Sequence, residues 1–242
     1  MKNILFILAF IFSIVSNSMA QYNDTIILAA EDNWIPYAKP DGTGMSLDII
    51  REAYKTVGIK VNFVVRPYKR ILNEVKKGKY LGGFNVPREI ANEKEFVWGE
   101  EMIFEAYNFY FVHKDRPLKA KNRYELKNSE RIGVILAYGY GDFFTANDSI
   151  QKEWSASEEF NLQKLMLNRL DAVIIYDKGA NYWLQKMNLT EDIIPAFPGE
   201  STDIYVGFSV ALPESKYYAK KLDEGIRKIR KSGLYKEILD HY

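Results

Sequence analysis

The sequence predicts an α/β protein of two lobes, each a mostly parallel β-sheet flanked by helices. Short β-branched runs alternate with segments whose apolar residues recur at helical spacing, which is the pattern of such a sheet. Apolar residues make up 47% of the 242 residues, enough for a packed core. A chain of this length divides more naturally into two α/β units of about a hundred residues each than into one large sheet.

The first twenty residues, 1–20, are predicted to be a secretory signal peptide. Lys2 supplies a positive start, the residues from Ile4 to Val15 form an apolar run, and Ser18 and Ala20 are small residues placed for cleavage. A membrane-spanning helix needs about 20 apolar residues, so this run is too short to anchor the chain. We therefore expect a periplasmic mature chain that begins at Gln21.

The charge balance disfavours a nucleic-acid partner. The sequence has 33 lysines and arginines against 32 acidic residues, and cleavage would remove one lysine, leaving a net charge of zero. A nucleic-acid-binding protein would carry a marked basic excess. The sequence contains no cysteine, so we expect neither disulfides nor a lipid-modified cysteine. The mature protein is predicted to be a soluble monomer.

The first elements after the leader alternate strictly between strand and helix. The β-branched run from Thr25 to Ala30 predicts a strand, and a loop rich in proline and glycine follows. Ser46 is placed to cap a helix that Gly58 ends. The segments predicted next are a strand over 61–65, a helix over 68–77 and a strand over 81–86.

The middle and end of the chain repeat this alternation. Long strands are predicted from Phe104 and from Tyr205, and these would cross between the two units. Because ligands in such folds bind beyond the carboxyl ends of strands and between domains, the loops after the strands are the places to search for a site. The other elements predicted are strands over 131–136 and 171–176 and helices over 158–169, 178–187, 214–231 and from 234 to about 241.

Five segments resemble bacterial extracellular solute-binding proteins, the family that includes the glutamine- and histidine-binding proteins of ABC importers. They follow the order of the family's elements and span essentially the whole mature chain. The segments are EDNWIPYAKPDGTGMSLDIIREAYKTVG, RPYKRILNEVKKGKYLGGFNVPRE, LKNSERIGVILAYGYGDFF, LMLNRLDAVIIYD and GFSVALPESKYYAKKLDEGIRKIRKSGLYKEILDHY.

The resemblance implies the two-lobed, type II periplasmic-binding fold. Lobe 1 would comprise residues 21–103 and 205–242, and lobe 2 residues 104–204. The implied mechanism is hinge closure around one small polar or zwitterionic solute, amino-acid-like or aromatic and cationic. An inner-membrane ABC permease is the implied partner; a sensory receptor that reports its ligand to a membrane partner without transport is the alternative.

Aromatic residues in the loops after the first two strands are candidate ligand contacts. The resemblance favours Trp34 as a wall of the cleft over the alternative that it packs the lobe, and Trp34 and Tyr37 flank Pro36. Tyr68 and Arg70 open the second predicted helix, where Arg70 could face the cleft or lie on the surface.

Arg88 is the candidate for holding a ligand's carboxylate, because it follows the third strand where the family usually places such an arginine. A planar guanidinium can make two parallel hydrogen bonds to a carboxylate. The family's usual threonine shortly before this arginine is missing, and Pro87 immediately precedes it.

The second lobe offers four further candidates. Asp177 ends a strand where the family often uses an aspartate for an amino group, although it could instead cap a helix. Tyr176 beside it could line the cleft. Tyr138 and Tyr140 replace the small hydroxyl residues, commonly Gly-Thr-Thr, that amino-acid binders have in this loop. An aromatic-lined cleft would suit a ring, a sugar face or an organic cation.

An enzyme is not expected. Neither histidine belongs to a triad or metal-ligand pattern, and no cofactor motif is present, so we predict no metal and no cofactor. The alternative is a dehydratase on the same fold, similar to cyclohexadienyl dehydratase, which would need a protonated carboxylic acid in the cleft. Glu31 is the carboxylate that could play this role.

Overall fold

The computed structural model describes residues 25–242, so the predicted signal peptide lies outside the described part of the chain. The strands within it are β1 (Thr25–Glu31), β2 (Lys60–Arg66), β3 (Gly82–Pro87), β4 (Phe96–Val97), β5 (Phe104–His113), β6 (Arg131–Ile135), β7 (Gln151–Ser155), β8 (Ala172–Tyr176) and β9 (Ile193–Ser209). The helices are α1 (Met45–Lys55), α2 (Tyr68–Lys76), α3 (Asp142–Ala146), α4 (Glu158–Met166), α5 (Asp177–Lys186), α6 (Ser215–Ser232) and α7 (Leu234–His241).

Two parallel groups of strands are joined by the two long strands β5 and β9. The order is β2-β1-β3-β9-β5-β8-β6-β7, with β4 also paired to β9. Strand β1 pairs in parallel with β2 and β3, and β6 pairs in parallel with β7 and β8. Strands β5 and β9 run antiparallel to each other and to their neighbours. We call the half with β1–β4, α1, α2, α6 and α7 the first lobe, and the half with β6–β8 and α3–α5 the second lobe.

The predicted start of the last strand at Tyr205 is wrong, because β9 begins twelve residues earlier, at Ile193. The sequence around Pro195 and Pro198 reads as a loop, since proline cannot donate to a strand ladder. Both prolines pair with β5 where its register shifts, and such irregularities tolerate proline. The predicted lobe boundaries fall at the start of β5 and inside β9. Both strands continue through the sheet, so the boundaries stay a prediction.

The start of α1 differs from the predicted cap at Ser46. The helix begins at Met45, and Ser46 lies buried in its first turn, where its hydroxyl donates to Oδ1 of Asn85 at 2.6 Å. Gly44 precedes the helix with a φ of 138°, and a Cβ at this position would lie 2.5 Å from the Tyr37 carbonyl oxygen. Glycine is therefore required here for the loop after β1 to pack against α1.

The core is continuous across the long strands. One buried apolar cluster runs from Leu28 and Ile50 in the first lobe through Tyr110 of β5 to Val134 in the second. In the first lobe, α6 packs against α1 so closely that a Cβ on Gly225 would lie 2.2 Å from the Ala53 carbonyl oxygen. The backbones of α1 and α6 are therefore in direct contact in the first lobe.

Candidate ligand-binding site

A small cavity lies between the two lobes, at the carboxyl ends of β1, β3, β6 and β8. Its volume is about 10 Å³, which is roughly enough for one water molecule. Small-molecule sites usually enclose several hundred Å³, so admitting a solute requires the lobes to separate or the rings to turn. The lining residues are Glu31, Trp34, Tyr68, Asn85, Pro87, Tyr138, Gly139 and Tyr176.

Glu31, the last residue of β1, is the acidic group of this cavity. It is 1% exposed, and the Tyr138 hydroxyl from the second lobe donates to its Oε1. Asn85 donates to its Oε2 at 3.3 Å. Burial raises the pKa of Glu31 to about 8, although both hydrogen bonds oppose that shift. The carboxyl group is therefore mostly protonated at neutral pH.

A bulge in β3 positions Asn85 for this contact. The register of β3 against β9 shifts between Gly83 and Val86, and Asn85 has a φ of 64°, in the left-handed region that asparagine tolerates. Its amide bridges Glu31 and the Ser46 hydroxyl. Sequence reasoning missed Asn85; the one signal was a polar residue inside a buried apolar strand.

Aromatic rings from both lobes form most of the cavity wall. The Trp34 ring lies 4.9 Å from that of Tyr176 and 6.0 Å from that of Tyr138, both edge-on. The Tyr68 ring meets that of Tyr138 edge-on at 5.2 Å. Four predicted site residues are thus brought together around the cavity. Trp34 also packs within its own lobe, 4.4 Å from the ring of Tyr37, and its predicted contact with a ligand stays a prediction.

Tyr37 and Asp177 join the two lobes beside the cavity. The Tyr37 hydroxyl donates to Oδ1 of Asp177 at 3.0 Å, while its ring stacks on Phe104 at 4.8 Å. The same Asp177 oxygen accepts from the Lys178 backbone N–H at 2.7 Å, in the first turn of α5. Asp177 is therefore the first residue of α5 and bonds across the lobes, but Tyr176 holds the position before the helix and no side chain caps it, so the predicted cap at Asp177 is wrong. Its predicted contact with a ligand stays a prediction.

Tyr140 packs behind the wall. Its ring stacks on that of Tyr176 at 5.8 Å, and its hydroxyl accepts from the Ile135 backbone N–H at 2.9 Å. The Tyr176 hydroxyl donates to the Gly139 carbonyl at 2.7 Å. Burial raises the pKa of both tyrosines well above the ordinary range, so the hydroxyls stay neutral.

Glu89 makes a second bridge between the lobes and was also missed from the sequence. Its Oε1 accepts from the Gly141 backbone N–H at 2.9 Å, and its Oε2 accepts from the Thr145 hydroxyl at 3.1 Å. The neighbouring Ile90 backbone N–H donates to Asp142 at 2.9 Å. The lobes are therefore fastened on this side of the cavity by hydrogen bonds that separation would break.

Glu158 adds a second buried carboxyl group near the cavity. It begins α4, and burial raises its pKa to about 7. Within the described part of the chain its Oε2 has no hydrogen-bond partner. Its charge raises the pKa values of Glu31, Tyr138 and Tyr140, which places it within electrostatic reach of the site.

The two arginines proposed from the sequence do not join this cluster. Arg88 donates from Nε and Nη2 to both oxygens of Glu93, at 2.8 and 2.6 Å, and its guanidinium lies 5.6 Å from the ring centres of both Trp98 and Tyr205. The guanidinium donors that would hold a carboxylate are therefore already bonded to Glu93, outside the cavity. Arg70 is exposed on α2. Among residues 25–242, no lysine or arginine lines the cavity.

Within residues 25–242, the other openings described are each lined by one lobe only. A wider groove of about 760 Å³ runs along the edge of β2 and α1, but it is open and only the first lobe lines it. The described residues contain no group of three or more side chains arranged to hold a metal ion. Within the same residues, no helix has the length and apolar character needed to cross a membrane.

Comparison with known proteins finds matches among solved three-dimensional structures. No family model and no curated protein matches the chain. The GluR0 ligand-binding core from Nostoc punctiforme, solved with L-glutamate, is similar at 13% identity and a TM-score of 0.75, covering 90% of this chain and 98% of that one. A histidine kinase sensor domain similar to periplasmic binding proteins matches at 14% identity and a TM-score of 0.76, covering 90% and 95%.

A third solved structure is an ancestral amino-acid-binding protein described as a precursor of cyclohexadienyl dehydratase. It matches at 17% identity and a TM-score of 0.72, covering 90% of this chain and 95% of that one. The predicted two-lobed, periplasmic-binding-protein-like fold is confirmed by these matches. Two of these three structures are described as binding an amino acid or as an amino-acid-binding protein, which is the kind of protein that the sequence resembles.

Proposed function

We propose that this chain is a periplasmic solute-binding protein that captures one small polar or zwitterionic solute by closing its two lobes around it. The observation that carries the proposal is the cavity walled by both lobes. Its lining combines aromatic rings with a few directed polar groups, which is the composition of small-molecule sites. The bonds from Tyr37 to Asp177 and from Glu89 to Gly141 would form only on closure and so would favour the closed form.

A thermal-shift screen of amino acids, polyamines, organic acids and sugars tests this proposal. A solute at about a hundred times its dissociation constant should add about 2.7 kcal/mol to the free energy of unfolding. Small-angle X-ray scattering should then show a smaller radius of gyration when the stabilising solute is present. If no compound of any class raises the melting temperature, the proposed function is wrong.

Transport and sensing are the two uses of such a receptor. The fold is shared with amino-acid-binding proteins and with a kinase sensor domain, so it supports either use. An ABC permease encoded beside this chain would favour transport, and a membrane-bound kinase would favour sensing. A pull-down of the adjacent membrane protein with solute-loaded protein would test the choice directly.

An enzyme on this fold is the second candidate, and Glu31 is the observation that favours it. Its raised pKa makes it a protonated acid inside a cleft, as a dehydratase would need. However, no cationic side chain among the described residues lines the cavity to hold an acidic substrate. Long incubation with each stabilising solute, followed by chromatography, separates the two functions, because only an enzyme would convert the solute.

A further inference from the structure

Within the described part of the chain, the ionisable side chains in the cavity wall are one carboxyl group, the hydroxyl of Tyr68 and two tyrosine hydroxyls from the second lobe, and two further carboxyl groups lie close by. Glu31 lies in the wall, Glu158 lies buried nearby with one unpartnered oxygen, and Glu89 lies at the rim beside Gly139. The nearest arginine in sequence, Arg88, is held outside by both oxygens of Glu93. A carboxylate entering the cavity would therefore meet carboxyl groups without a compensating cation, which is unfavourable in a desolvated site.

The aromatic wall has the opposite preference. The faces of tryptophan and tyrosine rings carry negative electrostatic potential and attract organic cations, most strongly when water is excluded. Trp34, Tyr68, Tyr138 and Tyr176 surround Glu31 within one small space. Among residues 25–242, Glu31 is the one acidic side chain in the wall itself, and an organic cation between it and the rings would compensate its charge once it ionises.

We propose that the solute is a small organic cation without a carboxylate, held by Glu31 and by the rings of Trp34, Tyr138 and Tyr176. This inference rests on the proposed function and narrows its ligand class. The lobes must open to admit the solute. When they close again, the amine or quaternary ammonium contacts Glu31 where the Tyr138 hydroxyl donates to it in the solute-free structure. Glu31 must lose its proton to pair with the cation, so binding releases one proton.

Matched pairs of compounds test this assignment on the purified protein. Histamine is compared with histidine, agmatine with arginine and tyramine with tyrosine, since each amine lacks only the carboxylate of its amino acid. Choline is compared with 3,3-dimethylbutan-1-ol, its uncharged isostere. In at least one pair, the cation should bind about tenfold or more tightly than its partner, by thermal shift and then by calorimetry.

Two variants and a pH series identify the charge partner. Glu31→Gln should weaken binding of the best cation by at least about tenfold, whereas Glu191→Gln, which removes an exposed charge far from the cavity, should leave it unchanged. Affinity should rise between pH 6 and 8, by at most about tenfold per pH unit. That limit holds for Glu31 alone, and loss of the Glu158 proton over the same range would steepen the rise. The groups around Glu31 are Tyr138, Asn85, Glu158, Asp32 and, opposite it on β2, Arg66.

The outcomes separate this inference from the proposed function. If amino acids, sugars or organic acids stabilise the protein while the amines and choline do not, the receptor stands and the cationic assignment is wrong. Equal binding within every pair, or unchanged binding of the best cation in a folded Glu31→Gln variant, overturns it as well. If no compound binds at all, both the receptor and its ligand class are refuted.

Discussion

Replacing Glu31 with glutamine removes the charge of the cavity while keeping its shape. A glutamine can accept from Asn85 and donate to the Tyr138 oxygen, as a protonated glutamate would. The Tyr138 hydroxyl can then donate to the Asn33 carbonyl, 3.4 Å away. The variant therefore imitates the protonated form of the wild-type protein at every pH.

The magnitude follows from the pKa of Glu31, which burial raises from 4.5 to about 8 in the folded protein. Between these values the folded state holds a proton that the unfolded state has lost, so stability falls as the pH rises and is lowest above pH 8. At 1.36 kcal/mol per pKa unit, the full loss is at most about 5 kcal/mol. Glutamine does not titrate, so Glu31→Gln should escape this loss.

Urea unfolding at pH 5, 7 and 9, followed by tryptophan fluorescence, measures the effect. We expect the variant and the wild type to differ by less than about 1 kcal/mol at pH 5, and the variant to be more stable by several kcal/mol at pH 9. Glu191→Gln is the control, since it makes the same substitution at an exposed position outside the cavity. A variant that is less stable than the wild type at pH 9, or a difference independent of pH, would refute this reasoning.

Three further substitutions test the contact between the lobes at Tyr37, the packing at Gly44 and the position of Arg88 outside the cavity. Tyr37→Phe keeps the ring but removes the hydrogen bond to Asp177, so the closed form should be less stable relative to the open form by about 1–3 kcal/mol. Small-angle X-ray scattering should show this as a larger mean radius of gyration. Gly44→Ala should lower the free energy of unfolding by about 2–4 kcal/mol in urea, because its Cβ would collide with a backbone carbonyl; wild-type stability would contradict this. Arg88→Ala should lower stability by at most about 1–2 kcal/mol and leave solute binding intact by calorimetry, since its partner Glu93 is a half-exposed surface residue. Loss of binding in Arg88→Ala would restore the carboxylate role.

The sequence predicted the regular elements well where their apolar spacing was strong. Helix α6 and strand β5 lie within a residue or two of their expected bounds, since each has a long apolar pattern. Strand β7 was missed because Gln151–Ser155 is a polar edge strand without an apolar run. Its pairing with β6 is a tertiary contact, and local propensity does not reveal such contacts.

The site shows the same limit more sharply. The loops that hold Trp34, Tyr68 and Tyr138 were predictable, because ligands bind where parallel strands end. The contacts that hold Arg88 outside the cavity were not predictable. Its partner Glu93 lies five residues along the chain, but the rings of Trp98 and Tyr205 come close to the guanidinium only in the folded protein. Tyrosines in place of small hydroxyls already weakened the expectation of an ordinary amino acid, and the bond from Tyr138 to Glu31 gives that departure a physical basis.

Stability and binding are two sides of one proton equilibrium at Glu31. Burying an ionised carboxyl group destabilises the folded protein at high pH, and a bound cation would remove that penalty by stabilising the ionised form. A glutamine would remove the penalty permanently, and with it the reason for a cation to bind. A variant that gains stability at pH 9 and loses cation binding would therefore connect both effects to the Glu31 carboxyl group. A gain in stability with unchanged binding would instead show that the Glu31 charge affects only the stability of the fold and that the solute is held by the rings.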